Sequence, residues 1–291
     1  MNLSKNTFEY KKTNDCSIQA DVYKAKIENS PVIIFIHGGG LIWGSRKDII
    51  PEQVKLYNDA GFTVVSIDYR LAPETKLESI IEDIKDAVKW VKYEGPTLFQ
   101  INPSKIAVVG SSAGGFLSLI TGTFKEKPNA IVSFYGYANI LGDWTLKPNE
   151  FYCNTKPIIS KHEAYSIVGN KPISESKLDR FLFYLYCRQK GNWIREISGL
   201  DTIFGKNKLL SLSPINNISN DYPTTLLIHG DKDTDVPYEE SVGMYNELRN
   251  NGVECELLTI KDADHTFDYN MNNPAAVDSI KTVINFLNRV I

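Results

Sequence analysis

The chain has 291 residues, 42% of them hydrophobic, and its 32 basic against 35 acidic side chains give a net charge of -3. At this length roughly three quarters of the unfolded surface can be buried, so one large core needs neither disulfides nor a metal. The near balance of charge leaves no long positive field for a phosphate backbone, which excludes nucleic acid as the expected partner.

Residues 1–12 hold no continuous apolar stretch after the first lysine, and no run elsewhere approaches the roughly 20 residues that span a bilayer. The expectation is a cytoplasmic protein without a membrane span, monomeric or homodimeric. Residues 17–26 alternate and read as a strand. Residues 31–36 are apolar throughout, as in a strand buried on both faces, and run straight into His37-Gly38-Gly39-Gly40. The next such strand is 62–67. Between 80 and 93, Ile80, Ile84, Ala87, Val88 and Val91 fall at helical spacing with Glu82, Lys85 and Lys89 opposite. Residues 105–109 form a strand ending at Gly110 and 116–120 a helix, so Ser112 stands at a strand-to-helix turn.

Two further buried strands are predicted at 130–134 and 225–228. A helix at 238–250 is stopped by Gly252 in a left-handed cap, 254–260 is the last strand, and 277–290 the closing helix. This alternation predicts an α/β fold over 1–291: one domain with a mostly parallel central sheet and helices on both faces. From about 139 to 212 the rhythm breaks in a stretch rich in aromatics, Trp144, Tyr152, Phe181, Tyr184 and Trp193 among them. It reads as an insertion folding as a cap over the strand ends, where open α/β sheets bind ligands, with no charged anchor for a substrate. Cys16, Cys153, Cys187 and Cys255 are far apart and form no CxxC pair, so no zinc or thiol redox site is expected.

A serine hydroxyl is a poor nucleophile unless its Oγ is fixed and exposed beside a base. Gly110-Ser111-Ser112-Ala113-Gly114 meets that need at Ser112, with glycines where a Cβ would collide with strand and helix. Ser111 is a structural neighbour. The oxyanion of a tetrahedral intermediate needs backbone N–H donors, and Gly39, Gly40 and Ala113 are the expected ones. Among His37, His162, His229 and His265, only His265 lies in the loop between last strand and last helix, and it is the expected base. His37 braces the glycine loop, His229 ends a strand as a packed residue, and His162 lies in the insertion. The carboxylate that orients the base is expected at Asp233, beyond the strand end and ahead of Val236-Pro237. Asp231 and Asp235 read as turn-forming or capping residues, and Asp264 as pointing elsewhere.

These motifs, with Asp68-Tyr69-Arg70-Leu71-Ala72-Pro73-Glu74 after the following strand, resemble the α/β-hydrolase superfamily and, within it, the carboxylesterases related to hormone-sensitive lipase. The resemblance runs from about 31 to the carboxyl end; Ser111 departs from it, standing where that group commonly has an acidic residue. It implies the α/β-hydrolase fold and an ester-hydrolysing triad in the order Ser112, Asp233, His265. The expected activity is hydrolysis of small to medium acyl esters through an acyl-enzyme, with a small-molecule ester as partner and no cofactor or metal. Two alternatives stand beside it. Peptidases like the prolyl oligopeptidases share the triad order but usually carry a large aromatic where Ala113 is. Ligand-binding proteins on this fold tend to lose the base, whereas His265 is present.

Overall fold

The computed structural model describes residues 4–176 and 178–291. Residues 1–3, part of the amino-terminal segment, and 177, within the 139–212 stretch, lie outside the described residues. Among those described, eight strands form one sheet: β1 (Asn6–Lys12), β2 (Ser17–Tyr23), β3 (Ser30–Ile36), β4 (Thr63–Ile67), β5 (Ile101–Ser111), β6 (Ala130–Phe134), β7 (Thr224–Gly230) and β8 (Cys255–Ile260). Their spatial order is β1-β2-β4-β3-β5-β6-β7-β8. β2 runs antiparallel to both β1 and β4, and every pairing from β4 across to β8 is parallel.

Helices cover both faces, as the apolar strands require. On one side lie α1 (Pro51–Asp59) and, at the chain end, a helix at Pro274–Val290; on the other lie α2 (Leu77–Tyr93), the short α3 (Gly95–Phe99) and α4 (Ala113–Thr121). The two-residue period of a strand sorts the side chains: Val32, Ile34 and Ile36 of β3 enter the core shared with α2 and α4, while Ile33 and Phe35 enter the opposite one. Each such burial contributes roughly 1.5–3 kcal/mol. Between β6 and β7 the described residues make six short helices, α5 (Asp143–Leu146), α6 (Glu150–Thr155), α7 (Lys161–Ser166), α8 (Phe181–Lys190), α9 (Trp193–Ser198) and α10 (Lys206–Ser211), in the stretch where the strand rhythm breaks. Then follow α11 (Glu239–Asn250), which packs Met244 and Leu248 against Ile131 and Leu227, and α12 (Pro274–Val290). Gly252, at φ +75°, follows α11 as the sequence predicts.

Outside the insertion β1, α1 and the short α3 escape the sequence pattern. β1 is an edge strand whose only apolar side chains, Phe8 and Tyr10, pack onto Trp90 at ring distances of 5.9 and 6.0 Å. α1 buries only Gln53, Val54 and Tyr57. No helix among the described residues is long and apolar enough to cross a membrane.

One buried cation joins three parts of the chain beside the glycine loop. Arg46 bonds Asp21 of β2 through Nε at 3.1 Å and Asp68, just past β4, through Nη1 at 2.5 Å, and reaches Glu175 in the insertion at 3.3 Å. Its backbone N–H also donates to Asp68 at 2.7 Å.

A very tight backbone approach is at Gly114 in the first turn of α4. A Cβ there would stand 2.0 Å from the Ile36 carbonyl oxygen and 2.6 Å from that of His37, so β3 or α4 must move. Gly114→Ala is therefore expected to cost about 3 kcal/mol or more, read as a lowered urea midpoint. An unchanged midpoint would mean that β3 yields freely.

Candidate active site

Four loops at the carboxyl ends of β3, β5, β7 and β8 converge on a cavity of about 1110 Å³. Ser112 sits between β5 and α4 at φ 56°, ψ -120°, a conformation that costs of order 1–3 kcal/mol in a residue with a Cβ. Backbone bonds hold it there: Ser112 N–H donates to Phe134 O at 2.9 Å, and Phe116 N–H donates to Ser112 O at 3.0 Å. The hydroxyl is thereby lifted toward the cavity, while Ser111 ends β5 buried.

His265 lies in the loop after β8, its side chain 14% exposed, with Nε2 3.0 Å from Ser112 Oγ. Its Nδ1 is 2.6 Å from Asp233 Oδ2. Because a carboxylate only accepts, Nδ1 carries the hydrogen and Nε2 presents its lone pair to the serine hydroxyl. Burial works against an imidazolium here. The hydrogen bond and charge of Asp233 outweigh it, with Asp235 and Asp264 adding to them, so His265 is raised above its ordinary value.

Asp233 is fully buried, which alone would raise its carboxyl; hydrogen bonds from His229 and His265 instead hold it well below the usual range. Its Oδ1 accepts the amides of Asp235 at 2.9 Å and Val236 at 2.8 Å, so one side chain both forms the turn after β7 and aims Oδ2 at the imidazole. The acid and histidine loops are tied together by two neighbours. Asp231 accepts the Asp262 amide at 2.6 Å, and Asp264 accepts the amide and hydroxyl of Thr234 at 2.8 and 2.9 Å.

The glycine loop follows β3. Gly39 stands at φ +98°, and a Cβ on it would lie 2.0 Å from the Trp43 carbonyl oxygen. The Gly38 carbonyl is engaged by His37 Nδ1 at 2.8 Å and by Tyr69 OH at 3.1 Å; the Gly39 carbonyl accepts Ile42 N–H at 2.8 Å and Trp43 N–H at 3.0 Å. A planar trans peptide then turns the N–H groups of Gly39 and Gly40 the other way, and the engaged Ser112 carbonyl does the same for Ala113. Among the described residues none of these three amides has a protein acceptor. His37, stacked on Tyr69 at 4.3 Å, is pushed down to about 4 by burial and stays neutral as a brace.

Two features lie beyond the sequence reading. Asp235 is not merely a turn residue: its Oδ1 accepts Tyr184 OH at 2.8 Å and Arg188 Nη1 at 2.7 Å, and its Oδ2 lies 3.9 Å from His265 Nε2. Arg188 is 1% exposed, with its guanidinium 4.9 to 5.6 Å from the ring centroids of Trp144, Tyr184 and Trp193. The cavity wall also carries Lys47, Asp48 and Glu175 beside Trp43, Tyr152 and Phe181; of the charged groups only Glu175 comes from the insertion, where no charged anchor was expected. Spacing holds no signal for either, since Arg188 and Asp235 are 47 residues apart. His229, expected as packing, lies 3.1 Å from Asp233 Oδ2.

Comparison with known proteins agrees with this architecture. The chain is similar to an alpha/beta hydrolase superfamily protein from Enterococcus faecalis, at 22% identity over 99% of this chain and 100% of that one, with a TM-score of 0.79. It is also similar to a thermophilic esterase from Thermogutta terrifontis, at 21% identity over 98% of this chain and 92% of that one, with a TM-score of 0.71. Among curated relatives, the non-reducing polyketide synthase Preu3 of Preussia isomera is 28% identical over 91% of this chain, which spans only 13% of that relative's length. The BD-FAE family profile matches residues 20–248. The chain thus has the α/β-hydrolase fold and belongs to the BD-FAE family.

Proposed function

We propose that the protein is a serine carboxylester hydrolase in which Ser112, His265 and Asp233 act as nucleophile, base and orienting acid. The observation that carries this reading is the continuous hydrogen-bonded line from Asp233 Oδ2 through His265 to Ser112 Oγ, at 2.6 and 3.0 Å, opening onto a cavity. Ser112 Oγ attacks the ester carbonyl carbon as its proton passes to His265 Nε2. The carbonyl oxygen, now anionic, is held by the amides of Gly39, Gly40 and Ala113. Collapse expels the alcohol, which takes the proton from His265, and leaves an acyl-Ser112 ester. Water, deprotonated by His265, attacks the acyl-enzyme; collapse releases the acid as Ser112 Oγ takes the proton back from His265. Similarity to an esterase of the same fold supports the choice of ester bonds.

The cavity takes a small to medium acyl group and leaves room for a sizeable alcohol half, with rings of Trp43, Tyr152 and Phe181 on one part of its wall and Lys47, Asp48 and Glu175 on another. A series of nitrophenyl esters of increasing acyl length, together with a fluorophosphonate probe mapped by peptide mass spectrometry, tests the reading. Turnover greatest for short to medium acyl groups and a phosphonyl group on Ser112 are expected; a label elsewhere, or no turnover, would overturn it. The acid limb of kcat/KM is expected to have its midpoint above about 6.5, the ordinary imidazole value, because His265 is raised and only the neutral ring can take the serine proton. A rate unchanged across that range would remove His265 from the base role.

A further inference from the structure

Asp233 Oδ2 receives two imidazoles, and the proposed reaction uses only one of them. His229, near the end of β7, has a fully buried side chain with Nε2 3.1 Å from Asp233 Oδ2 and 3.1 Å from Val236 O, and Nδ1 2.7 Å from Ser241 Oγ on α11. Both partners of Nε2 are acceptors, so Nε2 carries the hydrogen. In the neutral ring Nδ1 is then bare, and the Ser241 hydroxyl donates to it. That hydroxyl has no other hydrogen-bond partner among the described residues.

The surroundings fix this arrangement. Tyr238 packs edge-on against the His229 ring at 5.8 Å. Glu240, the nearby carboxylate, is engaged elsewhere: it accepts the amides of Ala138 and Asn139, both at 2.9 Å, and Trp144 Nε1 at 2.9 Å. On the other side of Asp233, the acidic groups around His265 are Asp235, Asp264 and the buried Asp268, which accepts the hydroxyl of Tyr135, the ring packed on His265 at 4.6 Å.

We infer that His229 is a positioning residue of the proposed hydrolase, holding the Asp233 carboxylate against His265 by a second hydrogen bond whose direction Ser241 sets. This rests on the reading of Ser112, His265 and Asp233 as the reacting set. His229 touches no reacting atom. Its effect is on Asp233: with Oδ1 bound by two amides and Oδ2 by two ring N–H groups, the carboxylate can neither rotate nor hold the His265 proton too tightly when the alcohol must receive it. Without His229, Oδ2 has one donor left, turns more freely and binds the His265 proton more strongly.

His229→Leu, His229→Gln and Ser241→Ala test this. His229→Leu is expected to lower kcat roughly ten- to hundredfold, the loss of one buried charge-assisted hydrogen bond, with KM within about twofold. Its acid limb moves toward higher pH, as the His265 proton is held more tightly. His229→Gln, whose amide can still donate to Asp233, restores most of kcat. Ser241→Ala favours a helix, frees the ring to turn its bare nitrogen to Asp233, and is expected to lower kcat about threefold. In proton NMR the unmodified protein should show two far-downfield imidazole N–H signals. His229→Gln should remove one and move the other.

Wild-type kcat and acid limb in both His229→Leu and Ser241→Ala would overturn the inference. If His229→Leu fails to fold, Ser241→Ala decides alone, and an unchanged kcat and unchanged downfield spectrum in it refute the role. Undiminished turnover by Ser112→Ala would instead defeat the underlying assignment of the nucleophile, so the two failures are distinguishable.

Discussion

Ser112→Ala is expected to lower ester turnover by roughly 10⁶-fold while leaving KM and the thermal midpoint nearly unchanged. The hydroxyl supplies the only bond that this residue makes to substrate in the proposed reaction. The turn itself is held by backbone atoms, through Phe134 O and Phe116 N–H. An alanine therefore inherits the same φ of 56° with the same two bonds. What remains is catalysis by the amide cradle and by His265 acting on water, so a small residue of activity should persist. Steady-state kinetics and a melting curve on one preparation check both halves. Comparable turnover by the variant would exclude Ser112 as nucleophile, whereas loss of turnover with loss of the melting transition would reveal a folding defect.

Asp233→Asn should come next in size, with kcat reduced by about 10⁴. The carboxamide can present its NH2 group where Oδ2 now stands, and His265 Nδ1 must then accept. The ring changes tautomer, and Nε2 meets the Ser112 hydroxyl carrying a hydrogen of its own. The pH dependence gives a second readout with a definite sign. Asp233 is the main source of the upward shift of His265, so removing its charge moves the acid limb of the remaining activity to lower pH. An acid limb that stays in place would show that the charge of Asp233 does not act on His265.

Much of the geometry of this candidate site could be read from residue order because it rests on local backbone conformation. A serine between Gly110 and Gly114 at the junction of a strand and a helix, and a glycine run after an apolar strand, are short-range signals. The structure shows their cause in carbonyl oxygens 2.0 to 2.2 Å from where a Cβ would stand. The parallel strands were equally legible, since burial on both faces leaves uninterrupted apolar runs such as Val32 to Ile36. β1 was not, because an edge strand facing water on one side is written mostly in polar residues. Nor could Asp235 be told from Asp231, since both read as turn-forming or capping residues beside Asp233. The three carboxylates share one turn, and only the approach of Arg188 and Tyr184 from a distant helix gives Asp235 a separate place. His229 escaped for the same reason: a histidine at the end of a buried strand reads as packing until the ring of His265 is found on the same oxygen.

The junction at Arg46 ties together three stretches that stand far apart in the sequence. The amino-terminal hairpin of β1 and β2 is far from the hydroxyl in the chain, yet Asp21 grips the same guanidinium as Asp68 and Glu175, and that arginine follows directly on the glycine loop. A tether or fusion that strains the hairpin is therefore expected to reach the proposed oxyanion cradle through Arg46, and grafting the loop onto another scaffold would require all three carboxylates to travel with it.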